Sequence, residues 1–229
     1  MFITAEIGVN WDGDFELVEK MMLDAKNGNC DAVKFQAFTE KILNNHPETE
    51  RLLKTSISTK NIDEINSIAK KIGIEWYCTP MYDEAVDFLD QFVNRYKIRY
   101  NDSLDLHKNV NSTLISKVLD TGKETIISSQ KNPKNLQIYD NVKWLYVVPK
   151  YPCSIEELDF SELNDFDGYS NHCLDYLAPI SAVVLGAQMI EIHVTSDKKG
   201  NFVDNAVSYD SEETKKLVNQ IRRLEKLQR

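Results

Sequence analysis

Short β-branched runs alternate with amphipathic stretches along the whole chain. Ile3 to Val9 predicts a first strand, and Phe15, Leu17, Val18, Met21, Met22 and Ala25 then recur at the spacing of one helix face. Asp31 to Ala37 predicts a second strand. Asn61 to Lys71 predicts a helix with Ile62, Ile65, Ile68 and Ala69 inward. Ile74 to Cys78 predicts the third strand, with a helix from Asp83 after it. Tyr96 to Tyr100, Thr125 to Ser128, Lys143 to Val148, a marginal Asp167 to Tyr169, and Met189 to Val194 complete the strands. Helices are predicted at Ser112 to Leu119, Leu177 to Leu185 and Ser211 to Leu227. The last has Leu217, Ile221 and Leu224 inward and basic residues near its end, where they complement the macrodipole.

Strands alternating with helices predict a parallel α/β sheet. A (β/α)8 TIM barrel, one domain over residues 1–229, fits the order and the length, since such barrels span roughly 200 to 400 residues. A doubly wound open sheet is the alternative. It prefers a glycine-rich first loop, and this chain has neither GxGxxG nor a P-loop motif.

Charge narrows the partners. With 27 Lys and Arg against 36 Asp and Glu, the net charge of -9 argues against nucleic acid or an anionic membrane as partner. A small anionic substrate remains compatible, because a pocket can be basic inside an acidic protein. Cys30, Cys78, Cys153 and Cys173 lie far apart with no CxxC pair, which argues against a zinc knuckle or a redox motif. The start, MFITAEIGVNW, has no basic region followed by a long apolar core, so no signal peptide is expected there. The longest apolar run, Ala178 to Ile192, is broken by Ser181, Gly186 and Gln188. The expected location is the cytoplasm.

In a barrel, chemistry sits at the C-terminal ends of the strands. Those ends offer Glu6 and Asn10, then Lys34 and Gln36, Cys78 and Thr79, and Lys97, Arg99 and Asn101. They continue with Ser128, Ser129 and Gln130, Lys150 and Tyr151, then Ser170, Asn171 and His172. Glu191, His193 and Thr195 end the series, with Asp204 beyond. Strand alternation puts Lys34 and Gln36 on one face, and Lys97 and Arg99 on another. A buried Lys needs a counter-charge. A bound phosphate or carboxylate would supply one, and so would an internal salt bridge to Glu6 or Glu191. Lys34 and Lys97 together, with hydroxyls at Thr79, Ser129 and Ser170, favour an anion site. His172 and His193 stand at the ends of adjacent strands about 5 Å apart, near enough to share one metal; packed, hydrogen-bonded imidazoles are the competing explanation. Trp11 is placed to line a pocket mouth. His46 and His107 fall in polar segments and receive no role, and the acidic run IEELDFSELNDFD suits a solvated helix face.

The chain resembles the N-acetylneuraminate (sialic acid) synthase family in its barrel domain. Matching segments run nearly end to end: AEIGVN, DAVKFQ, YCTPMYDEAVDFL, YKI, TIISS, KYPCS, GYSNHC, GAQMIEIHVT and VDNAVS. The resemblance implies condensation of phosphoenolpyruvate with the aldehyde of an N-acylated amino sugar, assisted by manganese or magnesium. By position it implies His172 and His193 as metal ligands. It places Lys34, Thr79, Lys97, Ser129 and Ser170 around phosphoenolpyruvate, and Glu6 as the base near the attacking water. Gln36, Tyr151 and Asp204 fall on the sugar side, and Asp204 could relay a proton.

The chain also departs from the family pattern. Trp11 stands where the family has His, and Arg99 and Tyr100 replace a small residue and a Ser. Arg99 could serve as an anion ligand if it points inward. Pro149 replaces an Asn, and Asn171 and Asn205 replace acidic and His positions. The segment between Gln36 and Asn61 is short for the family. Typical bacterial members continue into an antifreeze-like domain that supplies a sugar-binding Arg. If the chain is complete, sugar recognition is expected to differ or to be supplied by another chain, in a homodimer or from a partner subunit. Two other functions compete with the synthase reading. One is a catalytically impaired homologue acting as a partner subunit. The other is a metal-dependent hydrolase or an aldolase on the same barrel.

Overall fold

The computed structural model describes residues 1–136 and 139–227. Eight parallel strands run in chain order: β1 (Phe2–Glu6), β2 (Ala32–Ala37), β3 (Glu75–Pro80), β4 (Arg95–Ile98), β5 (Glu124–Ser129), β6 (Val142–Val147), β7 (Gly168–Asn171) and β8 (Met189–Val194). Each pairs with the next, and β8 returns to β1 through Phe2↔Met189 to Glu6↔His193. That last ladder closes the sheet into a (β/α)8 barrel and excludes the open doubly wound alternative. A short β9 (Ser208–Tyr209) adds to β8 at the C-terminal rim.

Helices α1 (Phe15–Asn27), α2 (Glu40–Leu43), α3 (Thr49–Leu53), α4 (Ile62–Ile72) and α5 (Asp83–Leu89) cover the first half. Helices α6 (Tyr100–His107), α7 (Thr113–Asp120), α8 (Leu177–Val184) and α9 (Ser211–Leu227) follow. The helical period is obeyed where it was strongest. Helix α4 buries Ile62, Ile65, Ile68 and Ala69, and α1 buries Val18, Met21, Met22 and Ala25. Asp14 caps α1 by accepting from the Glu16 amide, and Gly73, at φ 74°, ends α4 in the left-handed region. Helix α9 packs on α1 and α8, so the last element seals the first. The Met1 amino group pairs with Glu225 at 3.0 Å, and Arg222 donates to the Met1 carbonyl.

Three expectations need correction. The acidic run forms two 3-10 turns, Ile155–Glu157 and Leu163–Asp165, instead of a helix face. A capping box between Ser154 and Glu157 starts the first of them, and the extended backbone of Leu158 ends it after one turn. The first strand stops at Glu6, because Gly8 turns the chain at φ 53°, and a Cβ there would meet Glu6 Oε1 at 2.9 Å. Trp11 does not line the mouth. It is 1% exposed and packs edge-on against Phe35.

Asn10 turns inward as well. Its Nδ2 donates to the Val194 carbonyl and to Ser208 Oγ, both at 2.9 Å, and its Oδ1 accepts from the Asp204 amide at 3.0 Å. One fully buried side chain thus ties the β1 loop to the loop after β8. Replacing it by Ala orphans buried partners, so Asn10→Ala is expected to destabilise the fold by about 1–3 kcal/mol. Urea unfolding monitored by tryptophan fluorescence measures this; an unchanged midpoint would show that the three bonds contribute nothing.

Candidate active site

Parity around the closed sheet decides which side chains reach the barrel axis. Glu6, opposite His193, shares a face with Lys34, and on the neighbouring strands Thr79, Lys97, Ser170 and Glu191 point the same way. These residues line a cavity of about 500 Å³ at the C-terminal end of the barrel, together with Gln36, Arg99, Tyr151, His172 and Asp204. All but one of the residues to which the family resemblance gives a role therefore meet in one place.

The exception is Ser129. Lys97 lies opposite Ile126, so Ser128 is the inward residue of β5 and Ser129 points outward. Ser129 Oγ donates to the Lys131 carbonyl and receives His107 Nε2 at 2.8 Å. Ser128 lines the cavity, with its Oγ buried and without a hydrogen-bond partner among the described residues. Ser128 therefore replaces Ser129 in the candidate site. His107, left without a role from the sequence, holds Ser129 in the outer layer.

The floor is an ion network. Lys34 Nζ lies 2.9 Å from Glu6 Oε2 and 3.7 Å from Glu191 Oε2. Lys97 Nζ donates to both Glu191 oxygens, at 3.0 and 3.1 Å. Ser170 Oγ donates to Glu191 at 2.8 Å, and Gln36 Nε2 donates to Glu6 at 2.7 Å. Two lysines face two glutamates, so the buried charge balances within the floor. The salt bridges to Glu6 and Glu191 that competed with an anion site are thus formed. They leave Lys34, which also donates to Thr79 at 3.3 Å, with its ammonium in the cavity lining.

The titrations follow from this packing. Burial pushes the Glu191 carboxyl up, but Lys34 and Lys97 outweigh it and hold the group well below the usual carboxylate range. Burial lowers Lys97, and neighbouring Lys34 works against the pull of Glu191. Lys34 is also buried, yet Glu191 and Glu6 raise it above its ordinary value.

Beside the floor stand the imidazoles. The His172 and His193 ring centroids are 5.3 Å apart. His172 Nδ1 donates to the Val148 carbonyl at 2.8 Å, which fixes the tautomer and leaves Nε2 bare. Burial, reinforced by His193, pushes its pKa down to about 3, so the ring stays neutral. Asp204 Oδ2 lies 3.4 Å from His193 Nδ1. Burial alone would raise the Asp204 carboxyl, but His193 and His172 hold it below its ordinary value. Tyr151 is 56% exposed and lies across His172 at 3.9 Å between ring centroids.

A neutral imidazole with its second nitrogen anchored is the form that a divalent metal takes as ligand. His172 fits this form. Among the described residues no cluster of three or more His, Cys, Asp or Glu side chains converges on one point. The chain could hold an ion by two imidazoles, leaving the other positions to water or substrate.

Arg99 lines the cavity from just past β4, where Tyr100 already begins α6. Its Nε donates to Asp102 at 2.8 Å. Asn171 is buried away from the cavity and bonds the Cys173 carbonyl and the Tyr209 hydroxyl. Among the described residues no helix is long and apolar enough to cross a membrane.

The barrel is shared with solved structures. N-acetylneuraminic acid synthetase from Leptospira borgpetersenii, in complex with citrate, superposes with a TM-score of 0.82 at 24% identity, over 99% of this chain and 84% of that one. Likeness in sequence reaches further. The chain is 34% identical over 247 residues to an uncharacterised protein of Methanocaldococcus jannaschii, covering 99% of this chain and 71% of the relative. It is 30% identical over 253 residues to the N,N'-diacetyllegionaminic acid synthase of Legionella pneumophila, covering 96% and 71% respectively. Residues 21–229 match the NeuB family, and the chain therefore belongs to that family of sialic, legionaminic and pseudaminic acid synthase-like proteins.

Proposed function

We propose that this cavity joins phosphoenolpyruvate to the open-chain aldehyde of an N-acylated amino sugar, with manganese or magnesium held at His172 and His193. The product is a 2-keto-3-deoxy sugar acid of the sialic, legionaminic or pseudaminic type. The observation that carries the reading is one cavity lined by two lysines, three inward hydroxyls and two adjacent imidazoles, one of them held neutral.

In this reaction the methylene carbon of phosphoenolpyruvate bonds to the aldehyde carbon. Water adds to the carbon that bears the phosphate oxygen, and the C–O bond to phosphate then breaks. A bound divalent ion supplies Lewis-acid polarisation of the aldehyde. The chain's own groups do the rest. Lys34 and Lys97 present ammoniums to the phosphate and carboxylate, with Thr79, Ser128 and Ser170 as hydroxyl partners. Arg99 adds a guanidinium at the rim. Glu6, oriented by Gln36, is the base for the attacking water. Asp204 takes up or returns a proton beside His193, and Gln36 and Tyr151 face the sugar.

The test mixes protein, phosphoenolpyruvate, manganese and a panel of N-acylated hexosamines. Sugar-dependent phosphate release is expected, with a product heavier than the sugar by one pyruvic acid unit. No turnover, together with no thermal stabilisation by millimolar phosphoenolpyruvate, would refute the synthase reading.

A further inference from the structure

Two strand connections carry no α-helix among the described residues: β5 to β6, and β6 to β7. Something else has to cover the outward faces of these strands. After β6 the cover is aromatic. Phe160 and Phe166 stand edge-on against Tyr146, with ring centroids 5.7 and 5.6 Å away. After β5 the cover is incomplete. Ile127 and Trp144, opposite each other on β5 and β6, point outward, because the next pair, Ser128 and Leu145, faces the barrel axis. With Val142 they floor a second cavity of about 270 Å³, walled by Ile115 and Leu119 of α7. It shares no lining residue with the candidate active site.

The chemistry of this second cavity is unlike that of the first. None of its described lining residues is Asp, Glu, Lys or Arg, in a chain that is 28% charged. A charged ligand would lose its water there and meet no counter-charge. The rim is polar but neutral, formed by Asn109, Asn111 and Asn135 with Ser112 and Ser116. One group of the floor is unsatisfied. Trp144 is 6% exposed, and its Nε1 is buried without an acceptor among the described residues. A buried indole N–H ordinarily has a partner. The neighbouring His107 ring, 6.3 Å away between centroids, has its Nε2 bonded to Ser129. A water at the indole would find no second partner on the apolar side chains of Ile127 and Val142.

We propose that this outer cavity binds a small uncharged aromatic molecule whose carbonyl oxygen accepts from Trp144 Nε1. Trp144 and Tyr139 give the lining two aromatic rings, which favour a ring as partner. The volume lies just below the roughly 300 Å³ at which drug-sized sites begin, so the ligand has one ring or two fused rings. Phosphoenolpyruvate and other anions are excluded by the uncharged lining. The inference stands apart from the synthase reading, since the two cavities lie on opposite faces of the sheet.

The test follows the three indole N–H signals, of Trp11, Trp76 and Trp144, in a proton–nitrogen correlation spectrum of the full chain. Trp144→Phe assigns the third by its loss. Three probes of one ring and similar size are titrated: acetophenone, benzoate and ethylbenzene. Acetophenone should move the Trp144 signal downfield and saturably at millimolar concentration. Ethylbenzene lacks the acceptor and should bind about three- to tenfold more weakly, the scale of one hydrogen bond, with no downfield movement. Benzoate should not bind. Ser116→Phe, at an exposed position of α7, fills the cavity mouth and should weaken acetophenone at least tenfold with the fold intact. No saturable movement of the Trp144 signal with acetophenone overturns the inference. So does benzoate binding as tightly as acetophenone, or a Trp144 response indifferent to Ser116→Phe. A Trp144 signal that moves with protein concentration alone assigns the cavity to a second copy of the chain and overturns it as well.

Discussion

Glu191→Ala is expected to lose about 3–5 kcal/mol of stability, the typical result of removing one partner from a buried ion pair. For a chain of this length that corresponds to a fall of about 10 °C in Tm. Glu191 is 3% exposed and serves two cations at once, so its removal leaves Lys97 without a carboxylate within bonding distance and Lys34 with Glu6 alone. Adding Lys97→Met should recover part of the loss, because the remaining pair, Lys34 with Glu6, is complete. Equilibrium unfolding of the two single variants and the double variant measures the coupling. Equal stability of Glu191→Ala and the unaltered protein would mean that the network is solvated and does not hold the barrel. The same group sets a pH dependence. Its carboxyl is depressed in the folded protein, so its stabilisation is fully present above the unfolded value near pH 4 to 5. It is lost as the pH falls below that, toward the depressed folded value. Acid unfolding of Glu191→Gln should accordingly be flatter over that window.

On the metal-dependent reading proposed above, His172→Ala is expected to lower turnover by about 10³-fold or more, since Lewis-acid polarisation would supply several kcal/mol of transition-state stabilisation. Any thermal shift that manganese gives the unaltered protein should vanish with it. The His172 side chain makes one hydrogen bond among the described residues, to the Val148 carbonyl, so the fold should survive its loss. His107→Ala is the matched control. That ring sits in the outer layer against Ser129 and Trp144, and its loss should leave the manganese shift unchanged. If both variants respond to manganese as the parent does, the ion binds elsewhere and the assignment of His172 and His193 fails.

The strands are legible because each is a short β-branched run between polar turns; their number and order suit a barrel, but closure itself rests on the β8–β1 ladder, which no local pattern records. The long helices were legible for the same kind of reason: α4 writes its buried face as Ile62, Ile65, Ile68 and Ala69. The site was legible as far as parity could be read. Lys34 and Lys97 show their face because a charged side chain stands between apolar neighbours. The run Thr125 to Ser129 ends in two serines, so nothing local tells which of them faces inward. The register against Lys97 settles it for Ser128.

Arg99 lines the same cavity as Lys97, as alternation expects, but from beyond the strand, because β4 ends at Ile98 and the chain enters α6 at Tyr100. Trp11 looked like a rim residue by its place in a loop. Asn10 folds that loop under the barrel mouth through partners more than 180 positions away, which no local pattern records. Phe38, Ile42, Leu43 and Leu52, which line one side of the cavity, show no period, because Phe38 precedes α2 and the others fall in two helices of 4 and 5 residues.

The salt bridge between the Met1 amino group and Glu225 bears on chain order as well as on stability. In a ring of strands each pairing with the next, no strand is an edge and the choice of first strand is a cut made in a circle. Because β1 is bonded to β8 and Glu225 in the last turn of α9 lies against Met1, a short linker from the end of α9 to Met1 would restore the circle without moving a strand. New ends opened among the 3-10 turns between β6 and β7 would cut a surface segment and leave every ladder intact. A circularly permuted chain is therefore expected to build the same barrel, since closure depends on which strands are neighbours and not on which is made first.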